Sequence, residues 1–335
     1  MKERIFLRVS MILFFLGLFS SASGLTLAKE LPVIDAGMAV APNVPPAINR
    51  NYPARVVVRL EAIEYRAELA NGVEYEFWGY NGHVPGPFIR VREGDTVEFH
   101  FKNAEGSKNT HTVDFHAMTG PCGAACILMT EPGKESIVQA KALNPGLFVY
   151  HCAAPPIPVH IANGLYGMIL VEPKKGLAKV DREYSIMQSE FYTEGAAGTK
   201  GFVPFSSQKG MDENPTYVVF NGRVGALMGD GALQAKTGET VRFFVGNIGP
   251  NLVSSFHVIG EVFDRVYREA STSEPGHNIQ TTLIPAGGAS IIEFKVDVPG
   301  DFTLVDHSIF RINKGALGTL HVEGEANPEI LRKIQ

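Results

Sequence analysis

Short runs of β-branched and aromatic residues, separated by glycine, proline and asparagine, recur along the chain after about residue 54. Examples are ARVVVRLEAI (54–63), TVEFHFKN (96–103), GLFVYHC (146–152) and GMILVEP (167–173). Runs of this length and composition predict β-strands joined by turns. No long segment has the apolar spacing of an amphipathic helix, so the pattern predicts an all-β protein of the sandwich class.

The second half of the chain weakly repeats the first. VREGDTVEFHFKN (91–103) returns as AKTGETVRFFVGN (235–247), and NPGLFVYHC (144–152) returns as VPGDFTLVDHS (298–308). Offsets of roughly 140 to 156 residues indicate duplicated domains and not a solenoid. We predict tandem domains over 55–175 and 182–325, joined near the charged stretch EPKKGLAKVDREYS (172–185), with an N-terminal extension over 23–54 and a tail over 326–335.

The N-terminus, MKERIFLRVSMILFFLGLFSSASG, predicts export. A basic start precedes an apolar run from Val9 to Phe19, and small residues follow it. The run is too short to span a bilayer, which is typical of a secretory signal. We predict a signal peptide over 1–22, cleaved near Ala22, and a periplasmic protein. An uncleaved membrane anchor is the alternative.

Net charge and cysteine content narrow the function. A formal net charge of −5 argues against a nucleic-acid partner. The chain has 3 cysteines. Cys122 and Cys126 are either a disulfide closing a tight loop or two free small residues, and Cys152 is left over in either case. An unpaired cysteine in an exported protein suggests metal ligation.

Alternation of side chains along two strand-like segments, HTVDFH (111–116) and FVYHC (148–152), sorts the candidate metal ligands into two sets. The first set is His111 and Cys152, to which His160 can be added. The second set is Asp114, His116 and His151.

The two sets suit different copper chemistry. Two imidazoles with one thiolate form the trigonal ligand set of a blue-copper (type 1) electron-transfer site. Imidazoles with a carboxylate and no thiolate suit a copper that binds a small substrate at an open position (type 2). Because His151 and Cys152 are adjacent but point to opposite faces, they would join metals on the order of 10 Å apart. The remaining candidates are interpreted as ordinary side chains: His83, His100, His277 and His321.

Several longer motifs resemble those of copper-containing nitrite reductases of the compact, short-loop type. They are FWGYNGHVPGPFIRVREGDTVEFHFKN (77–103), HTVDFHAMTG (111–120), the YHC…H pattern that ends at His160, SSFHVIGEVFD (254–264) and LVDHSIFR (304–311). The resemblance covers roughly residues 45 to 325. It implies two tandem Greek-key cupredoxin β-sandwich domains, and a dissimilatory enzyme of denitrification that reduces nitrite to nitric oxide with one electron. It also implies a homotrimer supplied with electrons by a c-type cytochrome or a small cupredoxin.

The resemblance also implies a role for each site residue, with one type 1 and one type 2 copper in every chain. The implied type 1 ligands are His111, Cys152 and His160. The implied type 2 ligands are His116, His151 and, from a neighbouring subunit, His307. Asp114 and His257 are the implied catalytic residues that handle protons, and Ile259 shapes the substrate pocket.

One position departs from the family pattern. The axial methionine of the type 1 copper falls five residues after His160, and that residue is Leu165. Met168 lies three residues further on, and in an extended strand it would face the other way. Since leucine has no lone pair, we predict a three-coordinate type 1 copper with a raised reduction potential. The alternative is that Met168 takes the axial position.

Two rival functions have different requirements. A laccase-like multicopper oxidase needs paired His-x-His elements and a His-Cys-His core, but Ala153 follows Cys152 and no His-x-His occurs. A non-enzymatic cupredoxin electron carrier needs only the first ligand set, which would leave the second set without a role. The number of coppers per chain separates these possibilities.

Overall fold

The computed structural model describes residues 30–335, and their regular structure is mostly β-strand. Within this range only two short α-helices occur, α1 (Ile157–Ala162) and α2 (Ser207–Met211). The predicted signal peptide over 1–22 lies outside the described residues. Neither helix within residues 30–335 has the length and apolar character needed to cross a membrane.

The strands fall into two consecutive groups. The first group is β1 (Val33–Asp35), β2 (Gly37–Ala39), β3 (Arg55–Ala70), β4 (Val73–Tyr80), β5 (Phe88–Arg92), β6 (Thr96–Asn103), β7 (Asp114–Phe115), β8 (Glu135–Lys141), β9 (Gly146–His151) and β10 (Tyr166–Glu172). The second group is β11 (Arg182–Phe191), β12 (Gly201–Phe202), β13 (Tyr217–Phe220), β14 (Leu233–Lys236), β15 (Thr240–Gly249), β16 (Ser254–Ile259), β17 (Phe263–Tyr267), β18 (Gly276–Ile279), β19 (Thr281–Ile284), β20 (Gly288–Lys295), β21 (Gly300–Asp306) and β22 (Leu317–Glu323). Short 3₁₀ turns cover Pro121–Ala124, Gly229–Gly231, Arg268–Ala270 and Ile309–Lys314.

Four sheets form two sandwiches, which confirms the all-β fold class. The first sandwich pairs the sheet β12-β4-β3-β6-β8, with β1 beside β3, with the sheet β2-β5-β10-β9-β7. The second pairs β13-β11-β15-β20-β17-β18 with β14-β22-β21-β16-β19. Strands β1 and β2 lie in the predicted N-terminal extension, yet each extends one sheet of the first sandwich. Strand β12 comes from the second half and pairs with β4.

Side-chain alternation along β9 and β10 separates two apolar regions. Phe148, Tyr150 and Ile169 point into the core of the first sandwich. Val149 and Met168 point the other way, into a buried cluster that also contains apolar side chains of the second sandwich. Each fully buried large apolar side chain contributes about 1.5–3 kcal/mol relative to an exposed one. One strand pair therefore serves both the first core and the packing between the sandwiches.

Candidate metal centres

The first predicted ligand set converges at the end of the first sandwich. The Nδ1 atoms of His111 and His160 are 3.1 Å apart, and the Sγ atom of Cys152 lies 3.3 Å from the His160 Nδ1 and 4.0 Å from the His111 Nδ1. All three side chains are buried. The structure thus brings together the two imidazoles and the thiol that strand alternation assigned to one side.

Each ligand of this set is held by a different local element. His111 forms a backbone bridge with Thr130, Cys152 follows the last residue of β9, and His160 lies on α1. The backbone N–H of Cys152 donates to the carbonyl of Leu165 at 2.9 Å. The Trp78 ring packs edge-on against both imidazoles, with centroids 5.5 Å and 4.9 Å away. The three donor atoms therefore meet in a site closed by an aromatic side chain.

The donor atoms of this set face one point. The Nε2 atom of His111 faces the Glu64 carboxylate at 3.1 Å, and the Nδ1 atom of His160 faces Cys152 Sγ at 3.3 Å. Because a carboxylate only accepts, the Nε2–H of His111 donates to it, and the Nδ1 of this imidazole keeps its lone pair. The Nδ1 atoms of both imidazoles face Cys152 Sγ, whose thiol proton a bound metal cation would displace. A thiophilic metal ion such as copper fits this arrangement.

The pKa shifts of Cys152 and His160 show that the charged forms of both side chains are disfavoured in this site when no metal cation is bound. Burial raises the pKa of Cys152 to about 11, although backbone hydrogen bonds from Ala154 and Thr112 oppose the shift. Burial, followed by the nearby His111, lowers the pKa of His160 to about 4. A neutral imidazole is the form that binds metal, and a bound cation drives deprotonation of a coordinating thiol.

Leu165 and Met168 occupy different parts of the molecule. Leu165 is fully buried in the same apolar core as Cys152. Met168 points into the cluster shared with the second sandwich, and a Cβ atom built on Gly246 would lie 2.7 Å from its sulfur. The orientation expected from strand alternation is therefore observed for both residues.

The second predicted set converges on the opposite face of β9. The Nε2 atoms of His116 and His151 are 3.0 Å apart, and His151 Nε2 is 3.9 Å from Asp114 Oδ2. Strand β7 pairs with β9 so that Asp114 lies directly opposite His151. This pairing places both side chains on one face of the sheet.

The two imidazoles of the second set also face each other through ring nitrogens. His151 Nδ1 donates to the carbonyl of Cys152 at 3.0 Å, so its Nε2 keeps a lone pair, and this atom faces the His116 Nε2. A cation between the two Nε2 atoms would be held by both imidazoles. Desolvation, then the neighbouring His151, lowers the pKa of His116, although this side chain keeps exposed surface. The arrangement favours the neutral, metal-binding imidazole.

His257 and His307 form a separate pair on the second sandwich. Their rings pack edge-on with centroids 5.4 Å apart, on the paired strand β16 and just beyond β21. His257 Nδ1 donates to the carbonyl of Gln280 at 2.6 Å, which leaves Nε2 as an acceptor. Ile259 lies on the same strand and is 48% exposed. Among residues 30–335, the metal-binding groups within one chain include neither of these histidines.

Two features of the sites were not predicted from the sequence. Glu64 lies 47 residues before His111 along the chain, and no local pattern marks it as a partner of a metal ligand. Burial would raise the pKa of Glu64, but hydrogen bonds from His111, Asn109 and Lys108 outweigh it and hold the pKa at about 2.

The second feature is the loop beside Asp114. Cys122 and Cys126, whose pairing was open, form a disulfide, and Cys152 is the free cysteine of the described residues. Gly123 lies within this loop so close to Asp114 that a Cβ atom built on it would be 1.9 Å from Oδ1.

Known proteins share both the sequence and the fold. A family model described as multicopper oxidase matches residues 62–176. A copper-containing nitrite reductase of Neisseria meningitidis serogroup B is 59% identical over 303 residues, which are 90% of this chain and 77% of that protein. Another, from Alcaligenes xylosoxydans xylosoxydans, is 32% identical over 325 residues, 91% of this chain and 98% of that protein. A solved copper nitrite reductase from Nitrosomonas europaea has a TM-score of 0.73 and 38% identity, covering 82% of this chain and 96% of that chain.

These relatives decide between the functions that the ligand sets left open. The multicopper oxidase model matches less than half of the chain, whereas the nitrite reductases match nearly all of the described part. A match over 90% of the chain is too long to fall within one sandwich. The chain therefore belongs to the family of copper-containing nitrite reductases, oxidoreductases that reduce nitrite to nitric oxide.

Proposed function

We propose that each chain binds one type 1 copper and one type 2 copper. The proposed type 1 ligands are His111, Cys152 and His160, with Leu165 at the axial position. The proposed type 2 ligands are His116, His151 and the partner subunit's His307. The observation that carries this proposal is the convergence of potential ligand atoms in two separate places, three atoms in one and two in the other.

Copper supplies one-electron transfer in a thiolate site, and polarises a bound oxygen in an imidazole site with an open position. The protein supplies the connection between the two sites. Cys152 lies in the core of the first sandwich, and the adjacent His151 points to the opposite face, beside Asp114. A single peptide unit thus links the thiolate of one ligand set to the imidazole of the other.

Reduction of nitrite to nitric oxide consumes one electron and two protons and releases water. We assign the protons to Asp114 and His257. The Asp114 carboxylate is partly exposed beside the His151 Nε2, where it can hold a proton and donate a hydrogen bond to a substrate oxygen. His257 keeps its Nε2 free because Nδ1 donates to Gln280. The free Nε2 can exchange a proton with a bound oxygen or water, which is the role proposed for His257.

A homotrimer would complete the type 2 site. His116 and His151 supply two imidazoles, and no third one joins them within the described part of one chain. His307 and Ile259 are exposed, and Ile309 and Phe310, which follow His307 within three residues, are 44% and 85% exposed. Apolar exposure of this kind is typical of a surface covered in an assembly. In a closed cyclic assembly, the surface that carries His307 in one subunit would meet the first sandwich of the next subunit, where His116 and His151 lie.

The remaining proposals concern location and electron supply. The basic and apolar N-terminus supports export to the periplasm. There, a c-type cytochrome or a small cupredoxin would reduce the type 1 copper. Blue colour that bleaches on mixing with a reduced carrier under anaerobic conditions would test electron supply directly.

Copper counting tests the proposed centres. Copper-loaded protein should contain about two coppers per chain and give two distinct paramagnetic signals. His307→Ala should lose the type 2 signal and keep the blue colour, and Cys152→Ala should do the reverse. One copper per chain would indicate an electron carrier, and four would indicate an oxidase. An active, copper-replete monomer in light scattering would contradict the shared site.

A further inference from the structure

Glu64 is a buried carboxylate in direct contact with a proposed copper ligand. It lies on β3, its side chain is 3% exposed, and its Oε1 is 3.1 Å from the Nε2 of His111. Oε1 also accepts hydrogen bonds from the backbone N–H groups of Lys108 and Asn109 and from Asn109 Nδ2, each at 3.0 Å. Within residues 30–335, the hydrogen bonds to this oxygen come from the His111 ring and these two neighbouring residues.

The two oxygens of Glu64 are unequal. Oε1 receives every hydrogen bond, whereas Oε2 is buried and has no hydrogen-bond partner. An oxygen that accepts several N–H groups is typical of the ionised carboxylate. Because the side chain is only 3% exposed, the negative charge is weakly screened and acts on the adjacent imidazole.

We propose that Glu64 is a positioning residue of the type 1 site that lowers its reduction potential. The carboxylate holds the Nε2–H of His111, and thereby fixes the tautomer that presents Nδ1 to Cys152 and His160. It also makes this imidazole a stronger donor, and its charge favours Cu(II) over Cu(I). The inference rests on the proposed type 1 site.

This role would oppose the effect of Leu165. A leucine at the axial position removes a weak donor and destabilises Cu(II) relative to Cu(I). The Glu64 carboxylate acts in the opposite direction from the far side of the His111 ring. A carboxylate–histidine pair behind a metal ligand is commonly worth 10–100-fold in metal affinity. The contact between Glu64 and His111 therefore lowers the reduction potential of the type 1 site. A lower potential favours electron transfer from the type 1 copper to the type 2 copper.

The test is Glu64→Gln in the copper-loaded protein. The amide keeps the shape and one acceptor oxygen but removes the charge. We expect the blue band to remain and the potential to rise. A tenfold loss of Cu(II) affinity with unchanged Cu(I) affinity corresponds to about +59 mV. A purely structural role would lower the melting temperature without moving the potential.

Glu76→Gln is the matched control. Glu76 also carries a negative charge near this segment, and it pairs with Lys108 Nζ at 2.7 Å, but it makes no contact with His111. The same chemical change there should leave the potential near that of the parent protein. Equal shifts in both variants, or no shift in Glu64→Gln, would overturn the inference.

A second variant covers the case in which Glu64→Gln does not fold. Asn109→Ala removes one donor to Oε1 and leaves the charge in place. The carboxylate should then bond more strongly to His111, so the potential should fall. An unchanged or higher potential in Asn109→Ala would contradict the role of Glu64. Loss of the blue band in Cys152→Ala tests the type 1 site itself, so failure of that site is distinguishable from failure of this inference.

Discussion

Gly123 offers a direct test of the assignment of Asp114. A Cβ atom built on Gly123 would lie 1.9 Å from Asp114 Oδ1 and 3.0 Å from its Cγ. A carbon–oxygen contact of roughly 3.4 Å is ordinary, so Gly123→Ala should displace the carboxylate by about 1.5 Å. Gly123 also has a φ of +49°, where alanine costs about 1–2 kcal/mol.

The displacement should reduce turnover more than it reduces stability. A misplacement of about 1 Å at a reacting group commonly costs about 100-fold in rate, or about 2.7 kcal/mol of transition-state stabilisation. The ligand atoms of His111, Cys152 and His160 are untouched by the added methyl group, so the blue band should persist. Steady-state nitrite reduction with an artificial donor, copper analysis and thermal unfolding together measure these effects.

Gly82→Ala separates backbone strain from displacement of Asp114. Gly82 has a φ of +74°, and a Cβ atom built on it has nothing within 4 Å. This control should therefore lose a similar amount of stability and keep its activity. If Gly123→Ala retains both coppers and turns nitrite over as fast as Gly82→Ala, the position of Asp114 does not matter for catalysis and its assignment is wrong.

Three further predictions concern the type 1 site and the loop beside Asp114. Leu165→Met should lower the type 1 reduction potential and reduce the free energy of unfolding by less than about 1.5 kcal/mol, as other volume-conserving substitutions do. Met168→Leu should leave the visible spectrum unchanged. The reverse result would make Met168 the axial ligand. The pKa of His160 in the folded protein, about 4, is below its usual 6.5, so the unfolded chain binds a proton more readily between these pH values. The free energy of unfolding of the copper-free protein, measured by chemical denaturation, should therefore fall by up to about 3 kcal/mol as the pH is lowered from 6.5 to 4. A free energy of unfolding that does not change with pH would refute this. Replacing Cys122 and Cys126 together by serine should cost about 2 kcal/mol or less, because the closed loop is short, and unchanged unfolding would show that no disulfide forms in solution.

The separation of the ligands into two sets was predictable from the chain alone. Side chains in a strand alternate with a period of two, so adjacent residues such as His151 and Cys152 must point to opposite faces. The same rule predicted that Leu165 and Met168 point apart, as they do. The fold class was predictable for a related reason, since short β-branched runs between turn residues recur through both halves.

Other features depended on contacts between distant segments. Glu64 reaches His111 because β3 and the segment after β6 are neighbours in the folded chain, and no local pattern encodes that pairing. Gly123 touches Asp114 only because the disulfide loop folds back over β7. Residues 33–39, predicted to be an extension, add a strand to each sheet of the first sandwich.

The sequence by itself determined the strands, the two faces of each strand and the residue types able to bind copper, because these properties depend on neighbouring residues. The tertiary structure decided which donors meet and which groups support them from behind. It places the His257–His307 pair on the second sandwich, outside the metal-binding group of Asp114, His116 and His151. Such placements follow from strand pairing and packing between residues that are far apart in the sequence. Many arrangements of the strands satisfy the same local pattern, and the buried apolar contacts select one of them.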